Sequence, residues 1–503
     1  MSEKKKDDFM IREGGPWSSA WKIAAGIGGV GAVLSGVGAA SDMTRFAFAY
    51  VFAYFCFLTI ALGSVFFVLV QRLTSAGWSV TVRRTAEFFA YGLIAMAVLA
   101  LPIIANLNRL CPMLARGAGG AEHASVVQLV EGEARADLPP GPPPTPSQSA
   151  ASIGHNAPSA LTAPTAQAAA GHAASAAPAP EHTAPVPDHA GAAPADHAAA
   201  AHAPDHGDHA AAGGHEGHDP NHVAHEETLE KKSPWFATNF FYGRAVFYLV
   251  VWIALAVVFF GYSTKQDKSK DPKLTLAAQS AAPVATMFFA LSLTFAAFDW
   301  VMALEPSWFS TIFGVYIFAT SVVSSLAVII LVTMGLRDAG YLKSVVTVEH
   351  YHDLGKLLFG FNVFWAYIGF SQFMLIWYAA LPEETIFYHM RWDSGPWAYL
   401  SMILVFGHFV FPFFLLMSRH AKRTHLGRLK LGAGWLLAMH VVEWYWLVLP
   451  NLKDDFKFHW MDATCLLAVG GIYLAFVFHR MTKHPLIPVG DPRLQRSIHF
   501  QNA

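Results

Sequence analysis

Residues 46–70 read FAFAYVFAYFCFLTIALGSVFFVLV, a run of 25 residues without a charged side chain. About 20 mostly apolar residues are enough for an α-helix to cross the roughly 30 Å hydrocarbon layer of a membrane. Inside that layer a helix satisfies its own backbone polar groups, so this run predicts a transmembrane helix. Nine further runs have the same character and lie at residues 21–40, 86–107, 239–262, 275–302, 308–336, 354–380, 397–418, 431–449 and 461–478.

The composition of the whole chain agrees with this pattern. It is 54% hydrophobic and 14% charged, whereas about a quarter of an ordinary soluble domain is charged. The run at 21–40 is crowded with glycine, but small residues allow close helix packing in lipid. The sequence therefore predicts an all-α integral membrane protein with about ten transmembrane helices.

The Lys and Arg residues gather in every second loop. If the N-terminus is cytoplasmic, 23 of the 34 basic residues fall in cytoplasmic segments and nine in the opposite loops. The positive-inside rule then predicts cytoplasmic tails at 1–20 and 481–503. Arg72, Arg83 and Arg84 are counted here as loop residues, and Glu87 as an interfacial one.

Residues 117–233 break the membrane pattern, because Ala, Pro, Gly, His and Asp dominate them. This segment separates transmembrane helices 1–3, within 21–116, from helices 4–10, within 234–480. It holds 13 of the 24 histidines and too little apolar surface to fold, so it is predicted to be a disordered periplasmic insertion. His and Asp can bind zinc, copper or nickel. Without a fixed ligand spacing, a solvated insertion is favoured and no structured metal site is predicted.

The three cysteines, Cys56, Cys111 and Cys465, form no recognisable cofactor motif. There is no CxxCH for covalent haem and no cysteine cluster for an iron–sulfur centre. A GxxxxGK[ST] phosphate loop is absent too, and GIGGVG at 26–31 follows no strand. We predict that this chain has no redox cofactor of its own, so any redox centres belong to partner chains.

The few ionisable residues at membrane depth are the main functional indication. Each is costly against lipid, so each should face the bundle interior or a water path. His440 and Glu443 lie three residues apart on one face of the ninth span, and His408 lies in the eighth. Such groups can pass protons, so they predict a proton pathway. Further candidates stand near the ends of spans: Asp299, Glu305, Glu383 and Glu384 on the outer side, and His352, Asp353 and Lys356 on the inner side.

Each of these candidates has a structural alternative. A single intramembrane histidine such as His408 can simply form a hydrogen bond between helices. Asp353 can cap the seventh helix, since Asp is favoured at that position. Glu383 and Glu384 can be solvated loop charges. The pair at 440 and 443 favours a proton relay, because two titratable groups share one face near the middle of the membrane.

Residues 349–391, EHYHDLGKLLFGFNVFWAYIGFSQFMLIWYAALPEETIFYHMR, resemble the ActF family of membrane subunits. The resemblance is carried by HDLGK, FWAYIGFSQFMLIWYA and LPEET, and by HVVEWYW in the ninth span. ActF belongs to alternative complex III, the bacterial quinol:cytochrome c oxidoreductase. The resemblance covers the transmembrane spans and leaves the His-rich insertion outside.

This resemblance implies an anchor of the NrfD/PsrC type, with two four-helix bundles plus peripheral helices, in the bacterial inner membrane. A quinone, menaquinone or ubiquinone, is the implied ligand. The implied partners carry haem c and iron–sulfur clusters, and no nucleic acid is involved. They are an ActC-like sister membrane subunit, an ActB-like iron–sulfur subunit, multihaem and monohaem cytochromes c, small membrane subunits and, in some organisms, a terminal oxidase.

Two classes of function stay open. In the first, the chain is a respiratory subunit that supports quinol oxidation and proton translocation and is not catalytic alone. In the second, it is a free-standing proton-coupled transporter or channel. Many transporters contain internal repeats with matching broken helices. The first and second five spans show no convincing repeat, which favours the first class.

Overall fold

The structure is a computed structural model that describes residues 9–111, 113–114, 229–393, 395–423, 426–452 and 456–502, without the side chains of residues 382 and 383. These residues belong to one compact unit. Most of the predicted insertion at 117–233 lies outside the described residues. The described chain resumes at Leu229, where a short helical turn precedes the fourth long helix.

The described part of the chain contains helices and no strand. Ten helices are long and apolar enough to cross a membrane, which confirms the predicted all-α membrane architecture. They are α1 (Ala20–Ser41), α2 (Met43–Leu73), α3 (Val80–Ala105), α4 (Thr238–Ser269), α5 (Lys273–Leu304), α6 (Phe313–Asp338), α7 (Val348–Ala379), α8 (Gly395–Met417), α9 (Leu426–Leu452) and α10 (Trp460–Lys483).

The helices form two four-helix bundles. Helices α2–α5 pack around one another as the first bundle, and α6–α9 as the second. Helices α2 and α6 are the most buried, and they join the bundles along their length. Gly63 permits this contact, because a Cβ there would overlap the Ser321 carbonyl. Helices α1 and α10 pair beside the first bundle, so the predicted bundles with peripheral helices are confirmed.

The ends of the helices define two faces of the protein. We call the face where α1 begins and α2 ends the near face, and the face where α2 and α10 begin the far face. Helix α7 starts on the near face at Val348, within a capping box formed by Thr347 and His350. Asp353 lies five residues inside the helix, so the alternative that it caps α7 is wrong.

A C-terminal segment, residues 484–502, packs across the near face. The amide of Gly490 donates to Asp267 of α4 (3.2 Å), and the Ser497 hydroxyl donates to the Trp78 carbonyl (2.6 Å). The amide group of Asn502 reaches Glu349 at the start of α7 (3.2 Å). The segment therefore connects the first bundle to the second.

Helix α1 docks on α10 through small residues. A Cβ at Gly28 would lie 2.7 Å from the Ile472 nitrogen, so only glycine allows this approach. The neighbouring Gly29 has open space around its Cβ position. Lipid tails are as apolar as leucine, so helix association in a membrane depends on such close packing rather than on hydrophobic burial.

We expect Gly28→Leu to lower the free energy of unfolding by about 2 kcal/mol, because the side chain meets backbone atoms of α10 that cannot move aside. Gly29→Leu is the matched control. It should be neutral or slightly stabilising, since leucine is the better helix former. Thermal unfolding in detergent would measure both. Equal losses in the two variants would contradict the docking described here.

Candidate functional site

Three of the predicted ionisable residues meet in the interior of the second bundle. His408 of α8 and His440 of α9 flank the carboxylate of Glu443. The Glu443 Oε2 atom lies 3.6 Å from His408 Nε2 and 3.8 Å from His440 Nδ1. All three side chains are at most 1% exposed. We call His408, His440 and Glu443 the central cluster.

Neighbouring helices hold the Glu443 carboxylate in place. The indole nitrogen of Trp365 in α7 donates to Oε1 (2.6 Å), and the hydroxyl of Thr320 in α6 donates to Oε2. Tyr316, one turn away on α6, is a further polar neighbour of the carboxylate. A buried carboxylate is costly unless it accepts such hydrogen bonds, so these residues fix its position.

His440 lies where the two bundles meet. Its Nδ1 atom is 3.1 Å from the Thr320 hydroxyl, within the second bundle. Its Nε2 atom is 3.1 Å from both the Cys56 carbonyl and the Thr59 hydroxyl of α2, in the first bundle. One imidazole ring therefore connects both bundles.

His408 differs from His440 in its surroundings. Neither of its ring nitrogens makes a hydrogen bond within the described residues, although the ring is fully buried. The ring stacks on Trp365 with 3.8 Å between centroids, and a π-helical turn, Leu404–Val410, sets its position in α8. Such turns occur often at functional sites. A buried polar group without a partner is unusual, and here it faces the Glu443 carboxylate.

Glu305 belongs to a second polar site, on the far face. It lines a cavity of about 10 Å³ together with Arg391, Asn451 and Trp308, which is about the room one water molecule needs. Asn451 Oδ1 and Trp308 Nε1 are buried and make no hydrogen bond to the described protein. Arg391 is fully buried and donates to the carbonyls of Phe387, Trp446 and Leu447 at 2.7–3.1 Å. We call this the far-face cavity.

Two tyrosines lie between the far-face cavity and the central cluster. The Tyr316 ring lies 6.1 Å from that of Phe313, which lines the far-face cavity, and 6.0 Å from that of Trp365, which bonds to Glu443. The Tyr388 ring lies 5.2 Å from that of Phe387, another residue of the cavity lining. The Tyr388 hydroxyl also accepts a hydrogen bond from Gln372 (3.3 Å). Phenol hydroxyls both donate and accept hydrogen bonds, so this arrangement extends the polar interior from Glu443 towards the far face.

The structure does not bring the remaining candidates to the central cluster. Asp299 lies in the first bundle and accepts hydrogen bonds from Arg244, Trp235 and Tyr248 at 2.7–3.0 Å. Glu384 is half-buried in the short helix Pro382–Trp392, and the Glu383 side chain lies outside the described residues.

The near-face candidates are also separate from the central cluster. Asp353 pairs with Lys356 (2.6 Å) where the lysine is half-exposed, and His352 lies 3.4 Å from the Asn502 amide nitrogen. Along α7, the 12 residues from Asp353 to Trp365 correspond to about 18 Å of helix. These residues mark the near-face end of the second bundle rather than its centre.

Residues 72–87 depart from the sequence interpretation. Arg72, Arg83 and Arg84 are buried rather than in a solvated loop, and Glu87 is buried rather than interfacial. Helix α3 begins at Val80, six residues before the predicted start, and carries three of these charges into the protein. A hydrophobicity pattern does not show which charged residues are neighbours in space, so it did not indicate that these arginines and carboxylates neutralise one another.

These arginines form a buried network with three carboxylates. Arg83 bonds to Glu87 (3.1 Å) and to Asp491 (2.7 Å), and Arg84 to Asp267 (2.6 Å). Arg72 lies 3.8 Å from both Glu87 and Asp491. Three guanidinium groups thus face three carboxylates, and the network ties α2, α3, α4 and the C-terminal segment together.

No protein-family model matches this sequence, and no curated protein matches it either. The described residues contain no group of three His, Cys, Asp or Glu side chains suited to hold a metal ion. The fold and site define the class of the protein as a multi-pass helical membrane protein with a buried ionisable cluster. Any more specific function is a proposal.

The network predicts acid sensitivity through Asp491. Burial by itself would raise the pKa of this carboxyl, but the Arg83 and Arg493 guanidinium groups lower it to about 2. The unfolded value is about 3.9. The stabilisation is therefore present above pH 4 and is lost as the pH falls from about 4 to 2, with a size of about 2–3 kcal/mol.

Asp491→Asn should lower the free energy of unfolding at pH 7 by about 3 kcal/mol, because it removes one of the three carboxylates that compensate the buried arginines and leaves Glu87 as the remaining partner of Arg83 and Arg72. It should also flatten the decline in stability between pH 4 and 2. Asp338→Asn is the control, since its pair with Lys430 is exposed and worth at most about 1 kcal/mol. Thermal unfolding in detergent at several pH values checks this, and an unchanged acid profile would contradict it.

Proposed function

We propose that this chain is a membrane subunit of a respiratory quinol:cytochrome c oxidoreductase and that it conducts protons through its second bundle. The observation that carries the proton-conducting role is the central cluster, where Glu443 lies between two buried imidazoles. The respiratory assignment is supported by the resemblance of residues 349–391 to the ActF family.

The central cluster suits proton exchange because its charge can be shared. A buried lone charge is costly, but a carboxylate paired with imidazolium is compensated, and a carboxylic acid beside neutral imidazole carries no charge. Histidine changes protonation near neutral pH more readily than any other side chain. His440, Glu443 and His408 therefore offer several protonation states without leaving an uncompensated charge in the membrane.

The far-face cavity supplies the other end of the proposed path. Glu305 is partly exposed, and it lines the cavity together with Arg391. Tyr316 and Tyr388 lie between this cavity and Glu443. We propose that protons pass between Glu443 and the far face here, and that His352, Asp353 and Lys356 mark the near-face end. Asp299 is not on this route, because it belongs to the first bundle.

The chemistry of electron transfer would belong to partner chains. In this proposal haem c and iron–sulfur clusters lie in cytochrome and iron–sulfur subunits, and a quinol delivers the electrons. The chain itself contributes the membrane scaffold and the proton path. The alternative, a free-standing proton-coupled transporter or channel, is separated from this proposal by the assay below.

Glu443→Gln tests the proton path, because it keeps size and hydrogen bonding while removing titration. We expect a fall of about tenfold or more in proton flux with little change in quinol-to-cytochrome turnover without a membrane potential. His440→Gln should act in the same direction. The measurement uses a pH-sensitive dye in liposomes that hold the protein with its co-purifying subunits, and the exposed Asp393→Asn variant is the control.

An unchanged ratio of protons to electrons in both variants would leave these residues as structural partners, and the proton path would fail. Proton flux driven by an imposed potential in liposomes holding this chain alone would support the transporter or channel instead. Purification distinguishes the classes as well, since a respiratory subunit should co-migrate with haem-bearing partners.

The orientation is tested separately by cysteine labelling, since all three natural cysteines are buried. We expect a cysteine placed near Ala200 to react with a reagent added from the periplasm, and one placed at Arg428 to be protected. The reverse pattern would overturn the predicted placement of both termini in the cytoplasm.

A further inference from the structure

Thr320 differs from five of the six other buried Ser and Thr hydroxyls on α2 and α6. Hydroxyls in membrane helices usually bond to a carbonyl three or four residues back in their own helix. Five buried neighbours do so: Thr59, Ser64, Ser321, Ser324 and Thr333. The Thr320 hydroxyl instead faces α9, where it contacts both Glu443 Oε2 and His440 Nδ1.

The partners of His440 restrict where its protons can be. Its Nε2 atom lies 3.1 Å from the Cys56 carbonyl, and a carbonyl can only accept, so Nε2 carries a proton. The Thr59 hydroxyl donates its hydrogen bond to the Phe55 carbonyl, so it does not donate to Nε2. Only Nδ1 is left to change its protonation, and its hydrogen-bond partner is Thr320.

Two arrangements satisfy every hydrogen bond around Thr320. In the first, Nδ1 of a positively charged His440 donates to the Thr320 oxygen, and Thr320 donates to the Glu443 carboxylate. In the second, protonated Glu443 donates to the Thr320 oxygen, and Thr320 donates to Nδ1 of neutral His440. The heavy atoms hold the same positions in both arrangements.

We propose that the Thr320 hydroxyl is the bridge through which a proton passes between His440 and Glu443. The N–H bond at Nδ1 breaks as a new O–H bond forms on Thr320, while the original Thr320 proton bonds to Glu443 Oε2. One proton is gained and one is lost by Thr320, and the ion pair becomes a neutral pair. The inference rests on the proposed function and names the residue that carries its central step.

The distances and the burial around Thr320 explain why a proton would pass through this hydroxyl. His440 Nδ1 and Glu443 Oε2 are 3.8 Å apart, which is beyond direct hydrogen-bonding distance, so a proton needs an intermediate. Thr320, His440 and Glu443 are at most 1% exposed, which leaves no exchange with bulk water. Beyond Glu443, His408 Nε2 lies 3.6 Å from Oε2, which is also beyond direct hydrogen-bonding distance, and both of its ring nitrogens are unpartnered.

The test compares three substitutions in the complete purified protein with its co-purifying subunits. Thr320→Val keeps the shape of the side chain and removes the hydroxyl, and we expect at least a tenfold loss of proton flux. Thr320→Ser restores the hydroxyl and should keep flux within about threefold of the natural protein. Thr333→Val is the matched control, because it removes a buried hydroxyl of the same helix that bonds to the Ile329 carbonyl and is not in the bridge.

Infrared difference spectroscopy gives a readout that packing alone would not change. The carbonyl band of protonated Glu443, assigned by its loss in Glu443→Gln, should appear on proton uptake in the natural protein and in Thr320→Ser. It should be absent or delayed at least tenfold in Thr320→Val. Thermal unfolding of each variant in detergent verifies that the fold is retained, and Thr320→Ser also shows whether the position tolerates change.

The outcomes separate the two proposals. If Glu443→Gln leaves flux unchanged, the proposed proton path fails. If Glu443→Gln stops flux while Thr320→Val behaves like Thr333→Val, the path stands and the Thr320 bridge is wrong. Loss of flux in Thr320→Ser equal to that in Thr320→Val also overturns the bridge, because the hydroxyl alone then does not account for transfer.

Discussion

A polar group inside a hydrocarbon layer has no water to bind, and this constraint organises the whole protein. It selects helices, since each helix satisfies its own backbone. It also forces every buried side-chain charge to find partners from other helices. The positions where α2, α6 and α9 meet are therefore set by side chains such as Thr320 and His440 as much as by apolar packing.

The protein meets this constraint in two different ways. In the first bundle, three arginines and three carboxylates neutralise one another and fix α2, α3, α4 and the C-terminal segment. Each carboxylate there has a guanidinium partner. In the second bundle, Glu443 is surrounded by neutral donors and two imidazoles. The first arrangement pairs each carboxylate with a guanidinium group, and the second is the one on which the proposed proton path rests.

The sequence located the parts of the central cluster but not their assembly. The spacing of His440 and Glu443 follows from helical periodicity, so one face could be predicted. His408 is distant in sequence, and only the packing of α8 on α9 brings it to Glu443. The sequence did not indicate a role for Thr320, Thr59 or Trp365, because uncharged Thr and Trp residues are common in apolar spans. Conversely, Asp299 and Glu305 were equivalent candidates by their positions near the outer end of the fifth span. In the structure Asp299 bonds to residues of the first bundle, whereas Glu305 lines the far-face cavity.

The number of long apolar helices, their approximate bounds and the absence of strands from the described residues were determined by the sequence alone, because hydrophobicity and helix length are local properties. Which charges neutralise one another depended on the tertiary structure. Arg83 and Asp491 are 408 residues apart, and no periodicity relates them. The same holds for the contact of His440 with Cys56, since a hydrogen bond is decided by the distance between helices and not by the order of residues within them.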